Sequence, residues 1–255
     1  MSSQAIVRRP SPNFAEGLTT GLGSPDYTQA LEQHARYCSA LEQCGLKLTH
    51  LPLDEIHPDS TFVEDTAVVT ERFAMLARPG APSRLGEVSS MKNALAGFYS
   101  TLYSIKKPGT LDGGDVCQAG NHFFIGISAR TNEAGAKQLS ELLASFNYTS
   151  SLIDIRQLDG LLHLKSGMAY LGDNRLIAVD TLARREGFCD YSVLLVPESE
   201  NYAANCIRVN DHVLIAAGYP ALEASLRYPN YETISLDMSE FQKMDGGLSC
   251  LSVRF

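Results

Sequence analysis

The chain has 255 residues, 44% hydrophobic and 20% charged, and a formal net charge of −8. This is the composition of a soluble globular protein with a large core, and the negative charge argues against nucleic acid or an anionic membrane as the main partner. No apolar run approaches the roughly 20 residues of a membrane helix, and the first residues lack the apolar core of a signal peptide. We therefore expect a cytoplasmic protein.

The cysteines are widely spaced and form no CxxC pair. They are Cys38, Cys44, Cys117, Cys189, Cys206 and Cys250. In a cytosolic chain this pattern predicts free thiols and not a disulfide framework. No zinc-ligand spacing is present, so we expect neither a metal nor a cofactor.

The N-terminal quarter of the chain is predicted to hold a strand, a helix and a second strand. The segment QAIVRR, residues 4–9, is of strand type. A helix is predicted from the start signal at Ser24 and Pro25 to the stop signal at Gly45. The segment FVEDTAVV, which begins at Phe62, then joins a polar cluster to a strand.

The following part of the chain combines a hairpin with a helix. DGGDVCQAGNHFFIG begins at Asp112 and passes through a turn signal at residues 119–121 into a second strand. A helix is predicted to follow Thr131 as its cap, with Glu133 favourably placed in the first turn.

The C-terminal half repeats the hairpin pattern. LHLKSGMAYLGDNRLIAV, from Leu162, and YAANCIRVNDHVLIA, from Tyr202, each carry a polar cluster, a strand, a turn signal and another strand. Helices are predicted from Pro220 and after Ser239. The tail DGGLSCLSVRF, from Asp245, ends in an alternation typical of a strand.

The polar clusters recur at steps of 39 to 51 residues, which indicates a cyclic array of similar units. We predict an α/β fold in which residues 1–255 form a single catalytic domain, a five-bladed β/α propeller of ββαβ-type units around a central active-site cavity. The first strand should complete the last unit beside the C-terminal strand and so close the ring. The polar clusters would then converge at the axis.

Reactive side chains stand at equivalent positions of these units. They are Asp59, Glu64, Asp65, Asp112, Asp115, His163 and Cys250. A cysteine with a histidine is the minimum for nucleophilic catalysis with proton transfer to a leaving group. Several carboxylates would repel an oxyanion but suit a planar cation such as a guanidinium. They should also raise the pKa of the Cys250 thiol until a cation binds.

Each of these signals has a structural alternative. FVED is also compatible with a strand that ends in a solvated turn, and LDGGD with an Asx-capped turn. His163, between two leucines, is compatible with a core histidine, and Cys250 with core filler. Arg84 and Arg130 are compatible with surface charges. The joint occurrence of the motifs in register with the repeat favours a ligand site.

Together, PDSTFVEDTAVV, LDGGDV, SARTN, LHLKS, YAANCI and DGGLSC resemble the dimethylarginine dimethylaminohydrolases of the guanidino-group-modifying (pentein) superfamily, in the family's order and over almost the whole chain. The resemblance implies a cysteine hydrolase that converts dimethylarginine or monomethylarginine to citrulline plus an amine through a covalent thiouronium. Arginine deiminases are similar only in part, because they carry an added helical module.

The resemblance also implies roles for individual residues. Cys250 is the nucleophile, His163 the general acid and base, and Asp112, where the family has Glu or Asp, the carboxylate beside that histidine. The implied substrate contacts are Asp65 on the guanidinium, Asp59 on the α-amino group, Arg84 and Arg130 on the α-carboxylate, Leu18 in a flap with Gly17, Gly21 and Gly23, and Phe62, Glu64, Ser166, Met244 and Asp245 around the pocket.

Other readings of the sequence remain open. The same chemistry would suit arginine or citrulline as substrate. A non-catalytic propeller of the ribosome anti-association type would not need the cysteine, the histidine and the carboxylates together, and an arginine-binding regulator would resist labelling at Cys250. The expected partner is a small molecule, and the sequence is compatible with a monomer or a homodimer.

Overall fold

The computed structural model describes residues 2–21, 23–227 and 231–255, with the side chain of residue 186 excluded. Its strands are β1 (Gln4–Val7), β2 (Lys47–His50), β3 (Ala67–Val69), β4 (Ala74–Leu76), β5 (Leu102–Ser104), β6 (Val116–Ala119), β7 (His122–Ile127), β8 (Thr149–Asp154), β9 (Met168–Gly172), β10 (Arg175–Val179), β11 (Ser192–Val196), β12 (Ile207–Val209), β13 (His212–Ala216), β14 (Glu232–Leu236) and β15 (Ser252–Arg254). Its helices are α1 (Tyr27–Gln43), α2 (Val88–Leu95), α3 (Glu133–Ser145), α4 (Asp180–Ala183), α5 (Pro220–Arg227) and α6 (Ser239–Gln242).

The strands form five sheets of three strands each, ordered β15-β1-β2, β3-β4-β5, β6-β7-β8, β9-β10-β11 and β12-β13-β14. In every sheet the inner strand pairs antiparallel with the middle strand, and the middle strand pairs parallel with the outer strand. A helix connects the two parallel strands each time, as a parallel pair requires. The predicted ββαβ unit and its fivefold repetition are confirmed.

The first strand completes the last unit, as predicted. β1 pairs antiparallel with β15, with Ile6 opposite Val253, and the N–H groups of Ser3 and Gln4 donate to the Phe255 carbonyl at 2.9 Å. The predicted hairpin turns are also present. Residues 173, 174 and 210 have positive φ angles of 50° to 60°, which suits the tight connections between paired strands.

Two predicted helix starts were wrong. α1 is capped by Asp26, whose side chain accepts the Gln29 N–H at 2.9 Å, and not by the preceding Ser24-Pro25 pair. α3 is capped by Asn132, whose side chain accepts the Gly135 N–H at 2.8 Å. Thr131 does not cap α3, because its hydroxyl accepts the backbone N–H of Asp112.

Apolar side chains fill the spaces between the sheets and the helices that cover them, in four clusters that include Phe14, Phe73, Phe124 and Leu95. The five inner strands surround the middle of the ring, and a short 3-10 turn precedes each of them. These turns span Val63–Thr66, Gly113–Asp115, Leu164–Ser166, Glu198–Ala204 and Ser249–Leu251. The repeat therefore brings the sequence's polar clusters to one end of the inner strands.

All six cysteines are free thiols, as predicted. Within the described ranges, every helix is too short or too polar to cross a membrane.

Candidate active site

A pocket lies where the 3-10 turns of several units meet. Its lining consists of Leu18, Asp59, Phe62, Asp65, Arg84, Arg130, Leu162, His163, Met244, Asp245, Gly246 and Cys250. Most of the residues proposed from the sequence are thus brought together in one place. Asp112, Glu64 and Ser166 lie outside this lining, whereas Leu162 and Gly246 line it without having been predicted.

Cys250 stands at the middle of the last 3-10 turn, immediately before β15, and is half-buried. The backbone N–H of Gly247 donates to its Sγ at 3.4 Å. Burial, together with the charges of Glu64 and Asp65, raises the pKa of the thiol to about 12, against the opposing effects of that N–H and Lys165. This agrees with the expected influence of the carboxylates, and the unliganded thiol is protonated at neutral pH.

His163 lines the same pocket, is buried, and pairs through Nε2 with Asp112 Oδ2 at 3.1 Å. Asp65 Oδ1 lies 4.0 Å from the same nitrogen. Burial alone would lower the pKa of His163, but the charges of Asp65, Asp115 and Asp112 outweigh burial and raise it to about 9. The side chain is therefore the positively charged imidazolium at neutral pH, the form that can act as a general acid.

Asp112 is completely buried behind the histidine. Its Oδ2 meets His163, while its Oδ1 accepts the Gly80 N–H at 2.8 Å. Its own backbone N–H is fixed by the Thr131 hydroxyl at 3.0 Å. This geometry places Asp112 beside the histidine.

Asp65 presents an ionised carboxylate to the pocket. Its Oδ2 accepts from Arg84 Nη1 at 2.5 Å, and its Oδ1 accepts the Gly114 N–H at 2.9 Å. Burial would raise its pKa, but His163, Arg84 and these hydrogen bonds lower it to about 2. A fixed negative charge in a pocket is suited to a cation such as a guanidinium.

Two arginines line the pocket in different states. Arg84 is buried, and its guanidinium donates to two carboxylates and two carbonyl groups. Arg130 is half-buried, and within the described residues its guanidinium makes no hydrogen bond. Arg130 is therefore the arginine with more donors available to an anionic group.

The segment from Gly17 to Gly21 covers one side of the pocket. The Leu18 N–H donates to Asp59 Oδ1 at 3.0 Å, and Thr19 Oγ1 donates to the Lys243 carbonyl at 2.7 Å. Thr20 donates to Asp245 from both its N–H and its hydroxyl, at 2.7 and 2.8 Å. The predicted flap is thus joined to the loop that precedes Cys250. Leu22, between Gly21 and Gly23 of this flap, lies outside the described residues.

Glu64 points away from the pocket. Its carboxylate accepts from Lys165 Nζ at 2.6 Å and from Ser249 Oγ at 2.7 Å, and it borders a larger cavity in the middle of the ring that does not reach His163 or Cys250. Ser166 is a support as well, because its hydroxyl accepts the backbone N–H of His163 at 3.3 Å.

A metal could find three neighbouring ligand atoms at Asp65, Asp112 and His163, which lie within 4.8 Å of one another and form the only such group among the described residues. Their carboxylate oxygens, however, already accept from Arg84, Gly114, Gly80 and His163 itself. Each carboxylate oxygen of Asp65 and Asp112 therefore already has a hydrogen-bond donor.

Known proteins are similar to this chain in sequence and fold over its whole length. No family model matches the chain. The chain is 43% identical to the N(G),N(G)-dimethylarginine dimethylaminohydrolase of Pseudomonas aeruginosa, with all of both chains covered, and 36% identical to that of Streptomyces coelicolor, with 99% and 97% covered. It belongs to the dimethylarginine dimethylaminohydrolase family.

Solved structures agree with this assignment. The dimethylarginine dimethylaminohydrolase of P. aeruginosa, as a cysteine-to-serine mutant complexed with citrulline, superposes with a TM-score of 0.97 at 43% identity and full coverage of both chains. The N-terminal domain of a cyanobacterial arginine dihydrolase shares only the fold, with a TM-score of 0.88 at 17% identity and 98% and 96% coverage. The family's five-bladed propeller, predicted from the repeat, is the fold of this chain.

Three buried polar residues around this family member's pocket were not assigned roles from the sequence. Asp115 accepts the Leu164 N–H and the Ser128 hydroxyl directly beneath the histidine. Asn205 bonds both the N–H and the hydroxyl of Ser249. Glu87 holds Arg84. Asp115 and Asn205 lie in the recurring segments LDGGDV and YAANCI, whereas nothing in the sequence around Glu87 marks it.

Proposed function

We propose that this chain hydrolyses Nω,Nω-dimethyl-L-arginine, and Nω-monomethyl-L-arginine, to L-citrulline and dimethylamine or methylamine. The observation that carries the proposal is the convergence of the Cys250 thiol, the protonated His163 and the ionised Asp65 in one pocket. Full-length identity of 43% to a relative of that name, and a TM-score of 0.97 to its citrulline complex, support the same reaction.

The substrate lies with its guanidinium against Asp65 and its amino-acid end towards the flap. Asp59 receives the α-amino group, and Arg130, assisted by Arg84, binds the α-carboxylate. Phe62, Leu18, Met244 and Asp245 enclose the remaining surface, and this enclosure, supported by Glu64 and Ser166 from behind, fixes the guanidinium carbon near the thiol.

In the first half of the reaction, the Cys250 thiolate attacks the guanidinium carbon. His163 donates its proton to the departing nitrogen, the carbon–nitrogen bond breaks, and dimethylamine leaves. The products on the protein are a covalent, positively charged thiouronium and a neutral imidazole.

In the second half, neutral His163 takes a proton from water, and the resulting hydroxide attacks the thiouronium carbon. The carbon–sulfur bond breaks, citrulline forms, and the thiolate and imidazolium are regenerated. The remaining proton is taken up by the released amine. Asp112 keeps the imidazole oriented through both halves, because its Oδ1 is fixed by Gly80 while its Oδ2 meets the ring.

The raised thiol pKa couples this chemistry to binding. Without substrate, the surrounding carboxylates disfavour a thiolate. A guanidinium beside Asp65 adds a positive charge next to the sulfur and lowers the thiol pKa again. The nucleophile is therefore generated mainly in the complex.

The test is citrulline formation from asymmetric dimethylarginine, with dimethylamine quantified in parallel, by wild type, Cys250→Ser and His163→Gly. We expect equimolar products from wild type, and none from Cys250→Ser because an alcohol ionises far less. His163→Gly should also release no dimethylamine, because the departing nitrogen then has no proton donor. Activity on arginine or citrulline alone would move the proposal to those substrates. Normal turnover by Cys250→Ser would refute the mechanism.

The chain acts, in this proposal, as one catalytic domain over residues 1–255, in the cytoplasm.

A further inference from the structure

Glu87 is a buried carboxylate just outside the pocket. It ends the 3-10 turn Pro82–Glu87 and is 1% exposed. Both of its oxygens face Arg84, three residues earlier on the same turn: Oε1 accepts from Nε at 3.0 Å and Oε2 accepts from Nη2 at 2.9 Å. This is the bidentate fork that fixes the plane of a guanidinium.

The other contacts of Arg84 leave little of its guanidinium free. Nη1 donates to Asp65 Oδ2 at 2.5 Å, and Nη2 donates to the carbonyl groups of Phe62 and Asp59 at 3.0 and 3.3 Å. A guanidinium has five N–H donors. Glu87, the carbonyl groups and Asp65 engage four of them, so within the described residues one N–H of Nη1 is left for the pocket that Arg84 lines.

Glu87 thus decides which edge of Arg84 faces the substrate. With the Nε and Nη2 edge held by Glu87, Nη1 donates to Asp65, and both of these residues line the pocket. Without that carboxylate, two buried donors would lose their acceptors, and Asp65 is the other carboxylate within reach of the guanidinium. A rotation of Arg84 onto Asp65 would take that carboxylate away from the Gly114 N–H and from a bound cation.

We propose that Glu87 is a positioning residue of the substrate site: it aims Arg84 so that one N–H of Nη1 holds Asp65 and the other meets the α-carboxylate of the substrate. The inference rests on the proposed function, which supplies the substrate. Glu87 touches neither Cys250 nor His163. The guanidinium charge and the α-carboxylate of the substrate are present in both the ground state and the transition state. Misplacement of Arg84 therefore weakens the binding of these two states equally, so KM increases more than kcat falls.

The experiment compares wild type with Glu87→Gln, an isosteric change that replaces one acceptor oxygen by an NH2 group facing an N–H. We expect KM for dimethylarginine to rise about 10- to 100-fold, as for loss of a charge-assisted hydrogen bond, with kcat within about threefold of wild type. The dissociation constant of citrulline, measured by calorimetry, should rise in parallel, because citrulline carries the same α-carboxylate. Citrulline binding does not require turnover. An inactive wild type would therefore contradict the proposed function, while citrulline affinity would still test the role of Glu87.

Two further variants separate positioning from general damage. Glu200→Gln makes the same change at another buried glutamate, which accepts the Ala221 and Leu222 N–H groups away from the pocket, and should leave KM unchanged. Arg84→Met with Glu87→Leu removes both buried charges, a replacement that proteins tolerate better than a broken pair, and should raise KM at least as far as Glu87→Gln. The proposal is overturned if Glu87→Gln keeps KM and citrulline affinity within twofold of wild type, if its loss lies in kcat alone, or if the double variant binds normally.

Discussion

Replacement of Gly114 by alanine should displace the two groups on which the pocket depends. Gly114 lies in the 3-10 turn Gly113–Asp115, and its backbone has no positive φ angle, so the main chain itself accepts alanine. An alanine Cβ would, however, lie 2.8 Å from His163 Nδ1 and 2.9 Å from Asp65 Oδ1. Both side chains are buried and held by other contacts, and neither can simply swing away.

The size of the effect follows from these distances. Ordinary contact begins at 3.4 Å, so His163 must retreat by 0.6 Å and Asp65 by 0.5 Å, or the turn must shift by a similar amount. Overpacking of this kind costs about 1–3 kcal/mol of unfolding free energy. Since a misplacement of about 1 Å lowers turnover by ~100-fold, we expect kcat to fall by roughly tenfold.

The assay is citrulline production at saturating dimethylarginine, together with urea unfolding of the same samples. Gly187→Ala is the matched control, because its Cβ would lie 3.5 Å from the nearest atom, Phe124 Cε1, which is normal contact. Wild-type kcat in Gly114→Ala would refute the close approach of these side chains to the turn. A loss of similar size in Gly187→Ala would show that the effect is not specific to the site.

Three further outcomes are expected. Raising the pH from 6.5 to 9 should remove about 3 kcal/mol of unfolding free energy through His163 alone, since its pKa is about 9 when folded against an ordinary 6.5. This stabilisation is complete below pH 6.5 and is lost as the pH rises through 9. Urea titrations of His163→Gln should therefore lack that part of the slope. Thr20→Val deletes one of the two bonds to Asp245, and KM should rise about two- to tenfold; an unchanged KM would contradict a role for this contact in binding. Asp115→Ala leaves two buried donors without an acceptor. This variant should lower the unfolding free energy by about 3 kcal/mol or more. A urea midpoint near that of wild type would contradict this expectation.

Much of the fold was predictable because each unit repeats the same local signals. The hairpin turns at residues 119–121 and 172–174 and the alternation after Cys250 all mark real strands. The exact helix starts were not predictable, because neighbouring polar residues compete for the N-cap position. Only packing decides between Thr131 and Asn132 as the N-cap of α3. α2, Val88–Leu95, was not predicted, because VSSMKNAL is short and its cap residue Glu87 makes no side-chain cap bond.

The sequence was sufficient to predict which residues lie at the site, but not the directions in which their side chains point. Glu64 and Asp65 are adjacent in a 3-10 turn, where successive side chains point about 120° apart, so one faces the ring's central cavity and the other faces the pocket. The sequence could not show this divergence. It also could not show that Arg84 is mostly engaged within the protein, since Glu87 stands in an unremarkable SRLGE segment.

The pairing of β1 with β15 also has a consequence for how the active protein comes into being. These strands are formed by residues 4–7 and 252–254, so their contact closes the longest loop in the chain, and non-local pairing of this kind is slow. Cys250 lies two residues before β15, in the 3-10 turn that leads into it. Partly folded intermediates that lack this pairing would therefore hold His163 and Asp65 in place without a positioned nucleophile, and activity should be the last property to return during refolding.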